Sequence, residues 1–169
     1  MNKNETASAS PRPRGETLIT AIAVGATLIV IGLVFALNPD LPDRIVRFFQ
    51  DFTTVAYPFP DTSSTISFPA PMSPGTHTTV YNAVMQFDAG IAILQMVILG
   101  MRLYAGSPIR KIAETVGNLV FWLGAAFTTS VLLNGATTVS EWFMYWAAII
   151  ILVGVGMVVR AVVLLLRRP

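Results

Sequence analysis

Four long apolar stretches alternate with polar or proline-rich segments along this chain. The first, residues 18–37, is an uncharged run of 20 residues, enough for one helix to cross a hydrocarbon core about 30 Å thick. The second covers residues 80–104, the third 112–134 and the fourth 142–166. The pattern predicts an all-α fold of four transmembrane helices. A short signal peptide is the rival reading of the first stretch, because basic residues precede it. Its length exceeds the roughly 7–15 apolar residues of a signal core, so a retained helix is expected.

The second stretch carries the clearest internal pattern. Tyr81, Asp88, Gln95 and Arg102 recur every seven residues. A helix nearly repeats its face over seven residues, drifting about 20° per heptad. The four groups therefore make one slanting polar stripe about 32 Å long, which should face protein or water and not lipid. The third stretch carries Glu114, Gly117, Asn118, Phe121, Gly124, Ala125 and Thr128 at three- and four-residue steps. This small-and-polar face is the expected signature of helix contact in lipid. The expectation is that the polar faces of the second and third spans meet, with Gln95 opposite Asn118. Gly25 and Gly32 give the first span a small-residue face of its own.

Between the spans the character changes. Residues 38–79 hold seven of the eleven prolines and many serines and threonines. Within them, residues 41–52 place Leu41, Ile45, Phe48, Phe49 and Phe52 at helical spacing, with Asp43, Arg44, Arg47 and Asp51 largely on the other side. That predicts a short amphipathic helix, either lying in the membrane interface or packed on the spans. The rest of the segment reads as extended and turn-rich, with room for a small cap or one hairpin. Residues 1–17 are polar and read as a disordered tail; their Asn4-Glu5-Thr6 matches a glycosylation acceptor, a pattern that occurs often by chance. Ser107-Pro108 suits the start of the third span, serine as cap and proline in the first turn. Trp142, Tyr145 and Trp146 suit an aromatic belt at a membrane surface.

Composition agrees with this picture. The 169 residues are 54% hydrophobic and only 12% charged, about half the charge of a soluble domain, with a mean hydropathy of +0.66. The net charge of +2 does not point to nucleic acid, because the basic residues sit at the ends of apolar runs. Nine of the eleven basic residues fall in the N-terminal tail, around the 2–3 connection and near the C-terminal end. Only Arg44 and Arg47 fall in residues 38–79, and the 3–4 turn has none. The positive-inside rule then puts both termini in the cytoplasm and the Pro/Thr-rich segment outside.

Candidate chemistry is sparse. Without cysteine there is no disulfide, thiolate nucleophile or cysteine metal site. One histidine, His77, is too few for the usual zinc site, and no phosphate-binding glycine loop, haem or iron–sulfur spacing is present. No cofactor and no metal is expected. Asp88, about 12 Å into its helix, has three readings: a proton or cation site, a buried hydrogen bond to Asn82, Tyr145 or backbone, or a group in wet headgroups outside a late helix start. Glu114 and Arg160 are candidates for an ion pair between the third and fourth spans; Arg160 snorkelling alone and Arg102 as the partner of Glu114 are the alternatives.

The functional expectation is a non-enzymatic accessory, assembly or scaffold subunit of a membrane, packing on other membrane subunits or on itself. The alternative is a small oligomeric transporter or channel using Asp88 and Gln95. A membrane enzyme using His77 or Glu114 comes third.

Overall fold

The computed structural model describes residues 14–58 and 65–166. Five helices account for most of them: α1 (Arg14–Leu37), α2 (Leu41–Gln50), α3 (Thr78–Tyr104), α4 (Ile109–Leu132) and α5 (Val139–Leu166). All but α2 are long and apolar enough to cross a membrane, which marks a multi-pass membrane protein. Helix α1 begins at Arg14, so residues 14–17 continue the first helix instead of belonging to the polar tail. Thr20 helps by returning its hydroxyl to the Glu16 carbonyl, 2.8 Å away. Residues 1–13, with the glycosylation-type motif, lie outside the described residues, as do Arg167 and Arg168.

The long helices pack in the order α1–α3–α4–α5, each antiparallel to the next. They form a row: α1 rests mainly on α3 and α5 mainly on α4. Close approach is set by glycine. A Cβ on Gly90 of α3 would lie 2.7 Å from a Val30 methyl of α1, and one on Gly117 of α4 would lie 2.7 Å from the Gly156 carbonyl of α5. Where no hydrophobic effect separates helix from lipid, such backbone proximity supplies the packing that holds spans together.

The segment between α1 and α3 forms a cap, and it departs from an all-α fold. Strands β1 (Phe52–Pro58) and β2 (Thr65–Pro71) pair antiparallel, with Phe52 opposite Pro71 and Val55 opposite Phe68. Runs such as Thr53-Thr54-Val55 favour the pleated conformation. A two-stranded sheet has two open edges, where prolines are tolerated. A 3-10 turn, Pro74–Thr76, leads into α3.

Helix α2 is two-sided. Leu41 is buried, Phe48 is half-buried against Tyr81 and Trp142, while Val46 and Phe49 are exposed. One side packs on the spans and the other faces outward. The helix covers Leu41–Gln50, two residues shorter than its periodicity implies, because Phe52 enters β1.

Two other expectations change. Pro108, not Ser107, is the residue that caps α4; its carbonyl accepts from Lys111 N at 2.8 Å. Gly106 takes a left-handed φ of 63°, a conformation glycine adopts without strain, and the resulting turn buries Ser107. The belt aromatics also divide. Trp142 and Tyr145 are buried while Trp146 is 49% exposed, because Phe48, Phe52 and Tyr81 enclose the first two.

Candidate functional site

Three polar clusters sit at the two ends of the row and in its interior. The interior one is built on Asp88, a residue of the seven-spaced stripe. Helix α3 starts at Thr78, so Asp88 is well inside it and only 5% exposed. Its Oδ2 accepts from the Thr129 hydroxyl of α4 at 3.3 Å, and that hydroxyl lies 3.4 Å from the Tyr145 hydroxyl of α5. Three helices therefore meet at one buried hydroxyl. Tyr145 was among the partners the sequence offers for Asp88; Thr129, the actual contact, was not. Threonine in a helix commonly satisfies itself on the i−4 carbonyl, as Thr27 does here, so its spacing gave no signal.

The rest of the stripe behaves unevenly. Tyr81 is 2% exposed and packs edge-on to Phe48. Gln95 and Arg102 are half-buried. Apolar neighbours Ile91, Leu94 and Ile98 belong to the core cluster beside Gln95. The stripe is thus a face along which separate contacts occur.

At the end of the row away from the cap, charged groups link all four long helices. Arg102 of α3 donates to the Lys111 carbonyl at 2.6 Å and to the Thr115 hydroxyl of α4, and lies 4.0 Å from Glu16 of α1. Glu114 of α4 pairs with Lys111 at 3.1 Å and with Arg160 of α5 at 3.0 Å. Arg160 therefore has a partner, and Arg102 turns to Glu16 and α4 backbone and not to Glu114. Glu16 escaped sequence reasoning because it sat in what reads as tail.

The contact face of the third span points to α5. Glu114, Gly117 and Asn118 line a groove between α4 and α5 with Gly156, Met157 and Arg160; Gly124 meets Leu152 of α5. The α4 residues that meet α3 are Thr115, Trp122 and Thr129. At 100° per residue they centre about 150°, nearly half a turn, away from Gly117 and Gly124. Asn118 is exposed along that groove, with no hydrogen bond to Gln95 among the described residues, and Thr128, half-buried on the Gly124 side, completes the α5-facing stripe. Gly25 and Gly32 of α1 meet no neighbour within 4 Å.

At the other end, Asp51 ties the cap together. Its Oδ2 accepts from Ser73 N–H at 2.9 Å and lies 2.8 Å from His77 Nε2. The His77 ring stands edge-on to Phe48, centroids 5.1 Å apart. One carboxylate thereby joins the end of α2, the 3-10 turn and the start of α3. Partial burial alone would raise the Asp51 pKa. The His77 hydrogen bond, the Ser73 N–H and the nearby His77 charge outweigh that and hold it below the ordinary 3.8. A depressed carboxyl pKa stabilises the fold above the unfolded value and ceases to as pH falls through the folded one. Acidification below about pH 4 should therefore loosen the cap, read as loss of the near-ultraviolet circular dichroism of the packed aromatics. Asp51→Asn should abolish that acid step; an identical transition in the variant would refute the assignment.

The α4–α5 turn carries a further device. Thr138 N–H donates to Glu141 Oε2 at 2.7 Å, and Glu141 N–H returns to Thr138 Oγ1 at 3.3 Å. This reciprocal pair is a capping box, whose signal is the three-residue spacing of Thr138 and Glu141 just before an apolar run.

Among the described residues no three His, Asp or Glu side chains gather closely enough to hold a metal ion. Comparison with protein-family models, with curated proteins and with solved structures finds no match to this chain.

Proposed function

We propose that the protein is a non-enzymatic accessory, assembly or scaffold subunit, packing in the bilayer on other membrane chains or on further copies of itself. The observation that carries this reading is the open row of helices. Helix α1 rests mainly on α3 and α5 mainly on α4, so each keeps a wide apolar face free of intramolecular contact. On α1 that face includes Gly25 and Gly32, small residues that permit close approach of another helix. The interior polar groups are already engaged within the chain: Asp88 with Thr129, Arg102 with α4, Glu114 with Arg160. Such groups suit locks between helices.

Both termini are placed in the cytoplasm on the bias of basic residues. Because the chain has no cysteine, single cysteines report sidedness cleanly. Thr54→Cys, on the exposed cap, should react with an impermeant maleimide in intact cells, and Ala105→Cys only after permeabilisation. The reverse pattern would invert the topology.

The function itself is tested by gentle extraction from the native membrane and native mass measurement. Co-purification with a larger complex at fixed ratio, or a defined homo-oligomer held through α1 or α5, supports the reading; a free monomer in every detergent sinks it. A small transporter using Asp88 and Gln95 is the second reading, favoured by the deep burial of an acidic side chain. It requires that Asp88→Asn abolish flux in vesicles while the fold persists.

A further inference from the structure

The segment between α1 and α3 carries only two basic residues, Arg44 and Arg47, and both line one cavity of about 360 Å³. They lie one helical turn apart on α2, exposed, and among the described residues neither has an ion-pair partner. Thr76 of the 3-10 turn, His77 and Thr79 at the start of α3 complete the polar wall. The one carboxylate in the cavity, Asp51, is already taken up by His77 and Ser73 N–H. The cavity therefore keeps an excess of positive charge and unused donors.

Val80, which lines this cavity, also borders a second, wholly different space. That space is an apolar groove of about 320 Å³ between α1, α2 and α3. Val34 and Phe35 of α1, Ile45 of α2, and Val84 and Phe87 of α3 make its walls. From Val80 to Phe87 the groove descends about 10 Å along α3, into the part of the helix that is apolar enough to lie in a membrane. A guanidinium pair next to a greasy slot matches one chemical class: an anionic head on a hydrocarbon tail. Guanidinium groups bind phosphate oxygens through charge-assisted, often bidentate hydrogen bonds.

We propose that this composite site binds an anionic glycerophospholipid, its phosphate against Arg44 and Arg47 and an acyl chain along Val34, Val84 and Phe87. Selectivity resides in the head, because hydrocarbon gains little by exchanging lipid neighbours for apolar side chains. The tail supplies position: it aligns the phosphate with the arginines and leaves a free anion only half the site.

The test uses the full chain, delipidated in detergent, and native mass spectrometry with three probes: phosphatidylglycerol, phosphatidylcholine and inorganic phosphate. Phosphatidylglycerol should remain bound, phosphatidylcholine should bind roughly tenfold more weakly, and inorganic phosphate should neither bind nor compete. Arg44→Gln with Arg47→Gln should weaken phosphatidylglycerol binding at least about tenfold; both side chains are exposed, so the fold is kept. Val84→Trp, which fills the groove without touching charge, should also displace the lipid. Equal retention of both lipids, or phosphatidylglycerol binding indifferent to the arginine pair, overturns the proposal. Loss in the arginine variant with full binding in Val84→Trp, or competition by inorganic phosphate, overturns it in favour of a soluble-anion site.

Discussion

Gly117→Leu is expected to detach α5 from α4. A Cβ at this position would stand 2.7 Å from the Gly156 carbonyl oxygen and 3.4 Å from the Arg160 Cβ. The obstacle is backbone and cannot rotate away, so the helices must separate. Overpacking typically costs about 1–3 kcal/mol, and the upper end applies when the neighbour cannot yield. The consequence extends beyond one contact. Helix α5 is anchored mainly through α4, and the 3.0 Å pair between Glu114 and Arg160 lies beside the same groove. Cysteines introduced at Asn118 and Met157, which line that groove, should crosslink readily in the parent and much more slowly with Gly117→Leu. Gly154→Leu is the control, since a Cβ there meets nothing within 4 Å; it should shift stability by less than about 0.5 kcal/mol. Equal crosslinking in parent and Gly117→Leu would mean that α4 and α5 do not meet through these glycines.

Thr129→Val should be the most costly small change in the interior. Thr129 is 0% exposed, and valine nearly reproduces its shape. What is lost is the hydroxyl that donates to Asp88 and reaches Tyr145. An acidic group buried without its donor costs about 1–3 kcal/mol, more where it is ionised, and water cannot easily repair the loss so deep in the row. Asp88→Asn keeps an acceptor oxygen for Thr129 and should cost less. The double variant should therefore be less destabilised than the sum of the two single ones, a coupling that a double-mutant cycle on detergent unfolding measures directly. Strict additivity would show that the two side chains do not interact.

These two sites also mark where sequence and tertiary structure divide the information. Periodicity made the polar face of α3 plain and identified Gly117 and Gly124 as contact residues. It did not identify the neighbour. A helix face is fixed by 3.6 residues per turn, but the element it meets depends on how the other helices are arranged in the plane. Nothing local to α4 states that its glycines turn to α5 and that Thr115 and Thr129 turn to α3. The hairpin in the cap was equally faint, because strands with prolines and no long alternating pattern resemble loop until they pair. Asp51 and His77 are 26 residues apart and became partners only when α2 and the 3-10 turn converged.

The sequence by itself determined the four apolar helices, their approximate limits and the Gly117 and Gly124 contact face of α4, because length, hydropathy and helical period are local properties of the chain. Only the tertiary structure decided that the helices stand in a row, that Thr129 is the group joined to Asp88, that Arg102 turns to Glu16, and that the cavity lined by Arg44 and Arg47 shares Val80 with an apolar groove. Those are contacts between segments distant in the chain, set by close packing across the bilayer plane, and no periodicity within one segment encodes them.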